Sequence, residues 1–417
     1  MTVSTAKAVK SLSNPQVLVI GAGPAGIVTG YFLKNRGINY EIVDRAPVVA
    51  STWDSLYPSL RLNTTRYFSH MPGRKFPLRW GVFPTGRQYH SYVESFARQH
   101  GLNVTLGVEI TRVSPEKGGW RVESSRGSTW YSVIVLATGR FSSPYTASIP
   151  GAETFQGLLL HAHDYRDPAQ LAGMRVMVIG NGPSGLDIAL EAGHHNAAQG
   201  PALLSMRTGI ALKRRYPLGL SKHAWMLLTR WVPERFREPF LNYVEKLGFP
   251  RAALRGIKTP PPGKSSGAVA VRGGELIAAV RRGEVLCVDG PSRINPHSVT
   301  LADGITHEVD AIVIATGYRP ALAYLEGVTL ECDDQGWPKR YNSLTYAVDY
   351  AKLLYHGTYD VGAAIDRQFE PTLREVRGYP GLFQVGLYYK GKGAMYNFNV
   401  EAEIAAAQIA QYLADFS

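Results

Sequence analysis

Two glycine-rich turns carry the clearest chemistry in this chain of 417 residues: Gly21-Ala22-Gly23-Pro24-Ala25-Gly26 and Gly180-Asn181-Gly182-Pro183-Ser184-Gly185. At this spacing the first glycine permits a tight turn and the second lets backbone approach a pyrophosphate. The third lets helix and strand pack closely. Phosphate would rest on the N-terminus of the following helix, where free N–H groups and the macrodipole favour negative charge. The residues that end the next strands differ. Asp44, followed by Arg45, falls where an acid hydrogen-bonds a ribose hydroxyl, and Arg207-Thr208 takes that place in the second half. An arginine there suits a 2′-phosphate through charge-assisted, often bidentate hydrogen bonds. The first half is therefore expected to hold a cofactor with a free ribose, such as FAD, and the second NADPH. A solvated charge at the strand end is the alternative reading of Arg207.

Each turn lies in the strand–helix–strand context that gives the spacing its meaning. Val17-Leu18-Val19-Ile20 and residues 175–179 are short apolar runs, the pattern of strands buried on both faces. Residues 27–36, ended by Gly37, and 186–192 read as the following helices; 40–43 and 202–206 read as second strands. Two more apolar runs, 133–136 and 311–314, continue into Ala-Thr-Gly, with Thr138-Gly139 and Thr316-Gly317 at their ends. They read as returns of the chain between domains, where small residues let a strand end approach the flavin. The sequence thus predicts an α/β fold of two nested Rossmann-type domains. An FAD domain covers 1–150 and 307–417, and an NADPH domain is inserted over 151–306.

Composition narrows the field. Hydrophobic residues are 45% and charged residues 19%, which fits no disordered or fibrous class. The formal net charge of +12 comes without a nucleic-acid recognition motif, so no nucleic acid is expected and anionic cofactors or an anionic surface suit the charge better. Cys287 and Cys332 are too few for a disulfide framework and point to a reducing, cytoplasmic compartment. Their spacing also lacks the CxxC pair of the disulfide reductases, which share a two-dinucleotide architecture. Residues 1–16 contain lysines but no apolar core, and no run of about 18 apolar residues occurs, so neither signal peptide nor transmembrane segment is expected. No metal-ligand cluster, P-loop or Ser/His/Asp arrangement is visible.

Between and beyond the turns, the chain resembles the flavin-containing monooxygenases, the class B flavoprotein monooxygenases. Phe155-x-Gly157-xxx-His161-xxx-Tyr165 is similar to that family's FxGxxxHxxx(Y/F) sequence. The related Baeyer–Villiger enzymes usually end it with tryptophan, so Tyr165 leans toward the flavin-containing branch. DAIVIATGY, from Asp310 to Tyr318, resembles the family's second Ala-Thr-Gly region, and Pro380 to Gly386 its closing strand beside the flavin. The stretch containing Leu62 and Asn63 resembles the one in which the family places an asparagine at the flavin. The resemblance implies that Asn63 holds a peroxide oxygen at the isoalloxazine C4a; capping a turn is its alternative. Trp53 matches the tryptophan of a GGxW element whose glycines are here Ala50 and Ser51, and a core tryptophan is the alternative. The match to His161 is structural in the family, and His70 reads as a surface or loop histidine.

Residues 210–274 are the least typical of the resemblance and look similar to the corresponding region of the plant YUCCA-type enzymes. Lys213-Arg214-Arg215 leads into an expected amphipathic helix through Trp225, Leu228, Trp231 and Phe236, then Pro260-Pro261-Pro262-Gly263. A substrate lid, a membrane-surface face, a homodimer contact and a plain solvated helix all remain open there. Near the C-terminus, an aromatic, glycine-rich stretch from Tyr388 precedes an expected helix over 400–413, with Tyr396, Asn397 and Asn399 as substrate-pocket candidates. The resemblance implies that NADPH reduces FAD, that O2 forms a C4a-hydroperoxide, and that one oxygen passes to a small molecule. Nitrogen or sulfur is the first expectation for the acceptor. Insertion beside a carbonyl is the second, and a reductase or oxidase without oxygen transfer is the other class.

Overall fold

The computed structural model describes residues 16–221, 224–225, 228–229, 231–260, 269–270, 272–333, 336–338, 374–387 and 394–415. Two five-stranded parallel sheets organise the chain. The first contains β1 (Val17–Ile20), β2 (Tyr40–Asp44), β3 (Val104–Leu106), β4 (Val133–Leu136) and a late strand, Leu382–Gln384. The second contains β5 (Leu158–His161), β6 (Val176–Ile179), β7 (Ala202–Ser205), β8 (Val285–Val288) and β9 (Ala311–Ile314). With Leu382–Gln384 as β10, the spatial orders are β10-β4-β1-β2-β3 and β8-β7-β6-β9-β5.

The central strands form because they are apolar on both faces. All four residues of β1, β4, β6 and β9 are buried. Burying each Val, Leu or Ile stabilises the fold by roughly 1.5–3 kcal/mol, and only a parallel sheet covered on both faces can bury every one. Helices α1 (Pro24–Asn35) and α3 (Pro183–His195) follow the glycine turns, each opened by a proline whose missing N–H costs nothing at that position. Between them in sequence, α2 (Gly86–Gln99) starts with a capping box in which Thr85 and Gln88 satisfy each other's backbone amides. Among the described residues, the later helices are α4 (Glu234–Lys246), α5 (Gly273–Arg282) and α6 (Ala394–Asp415). Helix α6 packs along α1 and so closes the first half.

The halves repeat one plan. A three-stranded antiparallel sheet lies just before β4 in sequence (110–131), and another lies just before β9 (291–308). Registers match as well: Val17 sits beside Val133, and Val176 beside Ala311.

This plan moves one expected boundary. A division at 306/307 would put β9 in the first domain, yet β9 pairs with β6 and β5 in the second sheet. A bidentate contact accompanies that pairing, with Arg175 donating Nε and Nη2 to the Asp310 carboxylate at 2.9 and 2.8 Å. That contact holds the Asp310 pKa down at about 2. Two helices also differ from expectation. Helix α6 is already formed at Ala394, six residues before the expected start. The amphipathic stretch after Trp225 is interrupted at Pro233, which precedes α4. Tyr388 to Gly393 and Pro261 to Gly263 lie outside the described residues. Among the described residues, no helix is long and apolar enough to cross a membrane.

Candidate active site

The two turns are built by the same steric rule. Gly21 has φ +114°, and a Cβ on it would lie 2.5 Å from the Ala137 carbonyl oxygen. Gly180 has φ +118°, and its Cβ would lie 2.3 Å from the Ala315 oxygen. A Cβ on Gly26 or Gly185 would collide with the carbonyl of Gly21 or Gly180. Gly23 and Gly182, by contrast, have no protein atom within 4 Å of that position. Each turn therefore packs tightly against its own sheet and leaves one open face at a helix N-terminus, the cradle a pyrophosphate requires. Each Ala-Thr-Gly segment lies beneath the turn of its own half. The second, ending in Thr316-Gly317, thus serves the second turn rather than the flavin side; the Thr316 hydroxyl bonds the Tyr145 carbonyl on the connecting segment.

A cleft of about 470 Å³ opens beside the first turn. Gly21, Gly23, Pro24, Ala25, Asp44, Arg45, Trp53, Thr138 and Gly139 line it, while Gly26 is sealed beneath. Asp44 is held in place by backbone amides: Ala22 N–H donates to Oδ2 at 2.7 Å and Ala46 N–H to Oδ1 at 2.9 Å. Each carboxylate oxygen keeps a lone pair for a hydroxyl in the cleft. Arg45 donates to the Ser142 carbonyl. Trp53 stands edge-on to Tyr89, with ring centroids 4.6 Å apart, on the short helix Ser51–Asp54. Ala50 before it has φ +53° although it is not glycine, and its N–H donates to the Ala22 carbonyl. Ala50 thus takes a left-handed bend without glycine's freedom, at a steric cost of about 1–2 kcal/mol.

Sequence reasoning missed several lining residues. Arg140 follows the Ala-Thr-Gly directly; it donates to the Leu387 carbonyl and lies 4.1 Å from the Trp337 ring centroid. Its position after that motif was the one available signal. His163, Tyr324, Met395 and Phe398 reach the cleft through tertiary folding.

Other candidates lie elsewhere. Tyr396, Asn397 and Asn399 are buried, and it is Ala394, Met395 and Phe398 of the same helix that face the cleft. Asn399 instead donates to the His70 carbonyl at 2.8 Å. Leu62 is a core residue, and Asn63 lies exposed at a bend outside the lining of this cleft. His70 is enclosed rather than superficial, and burial pulls its pKa down to about 4. His161 accepts from the His163 amide, and burial lowers its pKa too.

In the second half, Arg207 and Thr208 are exposed at the end of β7. The Arg207 side chain runs beside Gly290, where a Cβ would come within 3.0 Å of its Cγ. Asn181, inside the turn, donates to the Gly209 carbonyl at 2.7 Å, which ties this strand end to the cradle. Pro183 and Ser184 open α3.

A polar clasp joins the halves. Tyr57 donates to Asp187 at 2.8 Å, Tyr165 to Glu191 at 2.7 Å, and Arg272 to Asp187 at 2.7 Å. Burial pushes the Asp187 carboxyl up, and the Arg272 guanidinium opposes that. Both tyrosine rings are buried, 5.6 Å apart. Tyr165, the last residue of the expected family sequence, is therefore a packing residue between halves.

Two parallel sheets with paired glycine cradles define the class of two-dinucleotide flavoprotein oxidoreductases. Residues 18–199 match the family model for pyridine nucleotide-disulphide oxidoreductases. A probable indole-3-pyruvate monooxygenase of Arabidopsis thaliana, YUCCA1, is 30% identical over 77% of this chain and 80% of its own length. The indole-3-pyruvate monooxygenase YUCCA6 of the same plant is 31% identical over 72% of this chain and 75% of its own. Among solved structures, a flavin-containing monooxygenase of Stenotrophomonas maltophilia superposes with TM-score 0.66 at 24% identity, covering 95% of this chain and 98% of that one. The bacillithiol disulfide reductase of Staphylococcus aureus shares the fold, with TM-score 0.63, 15% identity and coverage of 95% and 98%. The chain belongs to the class B flavin monooxygenases and has YUCCA-type enzymes among its relatives. Cys287 and Cys332 do not form the CxxC pair of a disulfide reductase, and burial pushes the Cys287 thiol up to about 11.

Proposed function

We propose that the chain is an FAD- and NADPH-dependent monooxygenase acting beside the carbonyl of an aromatic 2-oxo acid. Likeness to indole-3-pyruvate monooxygenases over 77% of the chain is the observation that carries the substrate class. In the proposed reaction R–CO–COO⁻, O2, NADPH and a proton give R–COO⁻, CO2, water and NADP⁺. Bound FAD supplies the electron transfer and the activation of O2.

The protein's own residues bind, orient and dry the site. The amides at the start of α1 receive the FAD pyrophosphate, and Asp44 receives its ribose hydroxyls. Trp53, Met395 and Phe398 furnish apolar walls that limit water. The amides at the start of α3 receive the NADPH pyrophosphate, and Arg207 its 2′-phosphate. Thr208 lies beside it. Asn63 is retained as a hydrogen-bonding candidate for the transferred oxygen.

Oxygenation of nitrogen or sulfur was expected from Tyr165 and Asn63. Tyr165 is committed to Glu191 and Asn63 lies outside the lining of the cleft, so their positions add nothing to that expectation.

The test supplies the enzyme with NADPH, indole-3-pyruvate and 18O2, and reads the product by mass. The expected product is the acid one carbon shorter carrying one 18O, with CO2 released. NADPH consumption that yields hydrogen peroxide alone, in the wild type with every 2-oxo acid tried, would overturn the proposal. Asn63→Ala is expected to shift turnover from labelled product toward peroxide; an unchanged ratio removes Asn63 from the site.

A further inference from the structure

The most unusual surface lies on the chain that follows β7. Sixteen large apolar side chains are exposed among the described residues, and eight of them fall between Tyr216 and Tyr243. Trp231 is 79% exposed, Leu228 62%, Tyr243 60% and Phe236 59%. A few scattered apolar side chains are normal on a surface, but such a concentration marks an interaction site.

Local structure holds these side chains outward. Leu218 sits in the turn Pro217–Gly219 with φ +53°, one of two non-glycine residues with positive φ among those described. Its side chain is 55% exposed, so backbone strain is kept at a residue that buries little. In α4, Phe236, Pro239 and Tyr243 follow the i, i+3, i+7 spacing of one face and are all exposed. Phe240 and Val244 take the adjacent face inward, where Phe240 meets Trp225 at 5.6 Å. The helix therefore has a broad apolar arc of which only part is covered.

Charge selects the occupant. From 213 to 258 the sequence holds eleven Lys and Arg against three Glu, a net +8 in 46 residues of a chain whose total is +12. Some of these cations are used internally: Arg214 donates to the Gly248 carbonyl, Arg215 lies over Phe83, and Lys258 pairs with Asp289. Arg235 lies 4.7 Å from the Phe236 ring centroid, so its charge stands at the edge of the apolar face. An interfacial helix has this composition: aromatic and aliphatic residues that enter the headgroup boundary, flanked by cations that attract anionic lipid. Helix α4, 13 residues long and opened at Pro233, can lie flat on such a surface and is too short to span it.

We propose that the exposed apolar side chains between Tyr216 and Tyr243, with the basic residues beside them, form a peripheral docking surface for an anionic lipid bilayer. Trp231, Phe236 and Tyr243 enter the headgroup region, and the basic residues supply the attraction.

The test is flotation of the full chain with phosphatidylcholine vesicles, with and without phosphatidylglycerol. Binding is expected on the anionic vesicles, at least roughly tenfold weaker on neutral ones, and reversed by high salt. Trp231→Glu with Phe236→Glu is expected to abolish flotation with an unchanged melting temperature. Should that double variant fold poorly, tryptophan fluorescence replaces it: anionic vesicles are expected to blue-shift the wild type, and Trp231→Phe to lose the shift. Failure to float with anionic vesicles, equal flotation with neutral ones, or flotation that survives the double substitution would each overturn the proposal. A dimer that the double variant dissolves, without vesicle binding, would assign the surface to a second copy and overturn it too.

Discussion

The two sheets are near copies in plan and opposites in surroundings. In each, a glycine turn grips the Ala-Thr-Gly segment of a neighbouring strand, with prospective Cβ contacts of 2.5 Å in the first half and 2.3 Å in the second. Around the first turn, α6 and the Ser51–Asp54 helix close a walled cleft, and Asp44 is fixed by two amides. Around the second, the strand ends in the exposed Arg207 and Thr208. The turn therefore supplies what every dinucleotide shares, the pyrophosphate cradle. On the proposed reading, the strand-end residue supplies discrimination and enclosure decides whether a cofactor stays or exchanges. We read the first half as the resident FAD site and the second as the NADPH site on this contrast.

Substitution at the turns offers the largest effects. Gly21→Ala and Gly180→Ala force a Cβ into a carbonyl oxygen at a φ that L-residues avoid. Each is expected to destabilise by about 3 kcal/mol or more in denaturant unfolding. Gly23→Ala and Gly182→Ala meet no protein atom, so stability should hold within about 1 kcal/mol. Gly23→Ala should lower FAD retention, and Gly182→Ala should raise the KM for NADPH. If either loses both nucleotides equally, the halves are not independent sites.

Acid sensitivity sharpens the contrast next. His70, half-buried in the first half, has its pKa pushed down to about 4 by desolvation, against an ordinary histidine value of 6.5 once the chain unfolds. Below pH 6.5 the unfolded chain takes up a proton that the folded chain refuses. Stability contributed by the neutral ring is thus full above pH 6.5 and is lost as pH falls toward 4. Between pH 7 and 5 the loss is expected to be about 2 kcal/mol, measured by urea unfolding, and His70→Asn should flatten it. An unaltered pH profile in that variant would place the acid sensitivity elsewhere.

The smallest effect concerns Ala50. With φ +53°, Ala50→Gly relieves strain but loosens the unfolded chain, leaving a net gain of about 0.5–1 kcal/mol. A melting temperature that falls instead would mean that the Ala50 methyl packs usefully against the first turn.

What was legible in the sequence was local. Gly21 and Gly180 announce themselves because only glycine satisfies both the φ and the carbonyl contact, and Asp44 and Arg207 sit at a fixed offset from them. Sheet membership is not local. Ala311–Ile314 reads as a strand from its residues, yet its place beside Val176–Ile179 is a pairing across 135 positions of sequence. The same limit misplaced the pocket candidates. Helix α6 begins by Ala394, so Met395 and Phe398 take the cleft face while Tyr396, Asn397 and Asn399 turn inward. The environments of Asn63 and His70 were equally unreadable, because burial is decided by partners far away in sequence.

The measurement that tests the two-site account most directly is anaerobic rapid mixing of the FAD-loaded enzyme with NADPH or NADH, following flavin reduction in the wild type and in Arg207→Ala. The account predicts that the wild type prefers NADPH. Arg207→Ala should weaken NADPH by about 10- to 100-fold, the worth of a charged hydrogen bond, while NADH and FAD content stay near wild type. Equal response to both nucleotides, or an Arg207→Ala that leaves the NADPH preference intact, would contradict it.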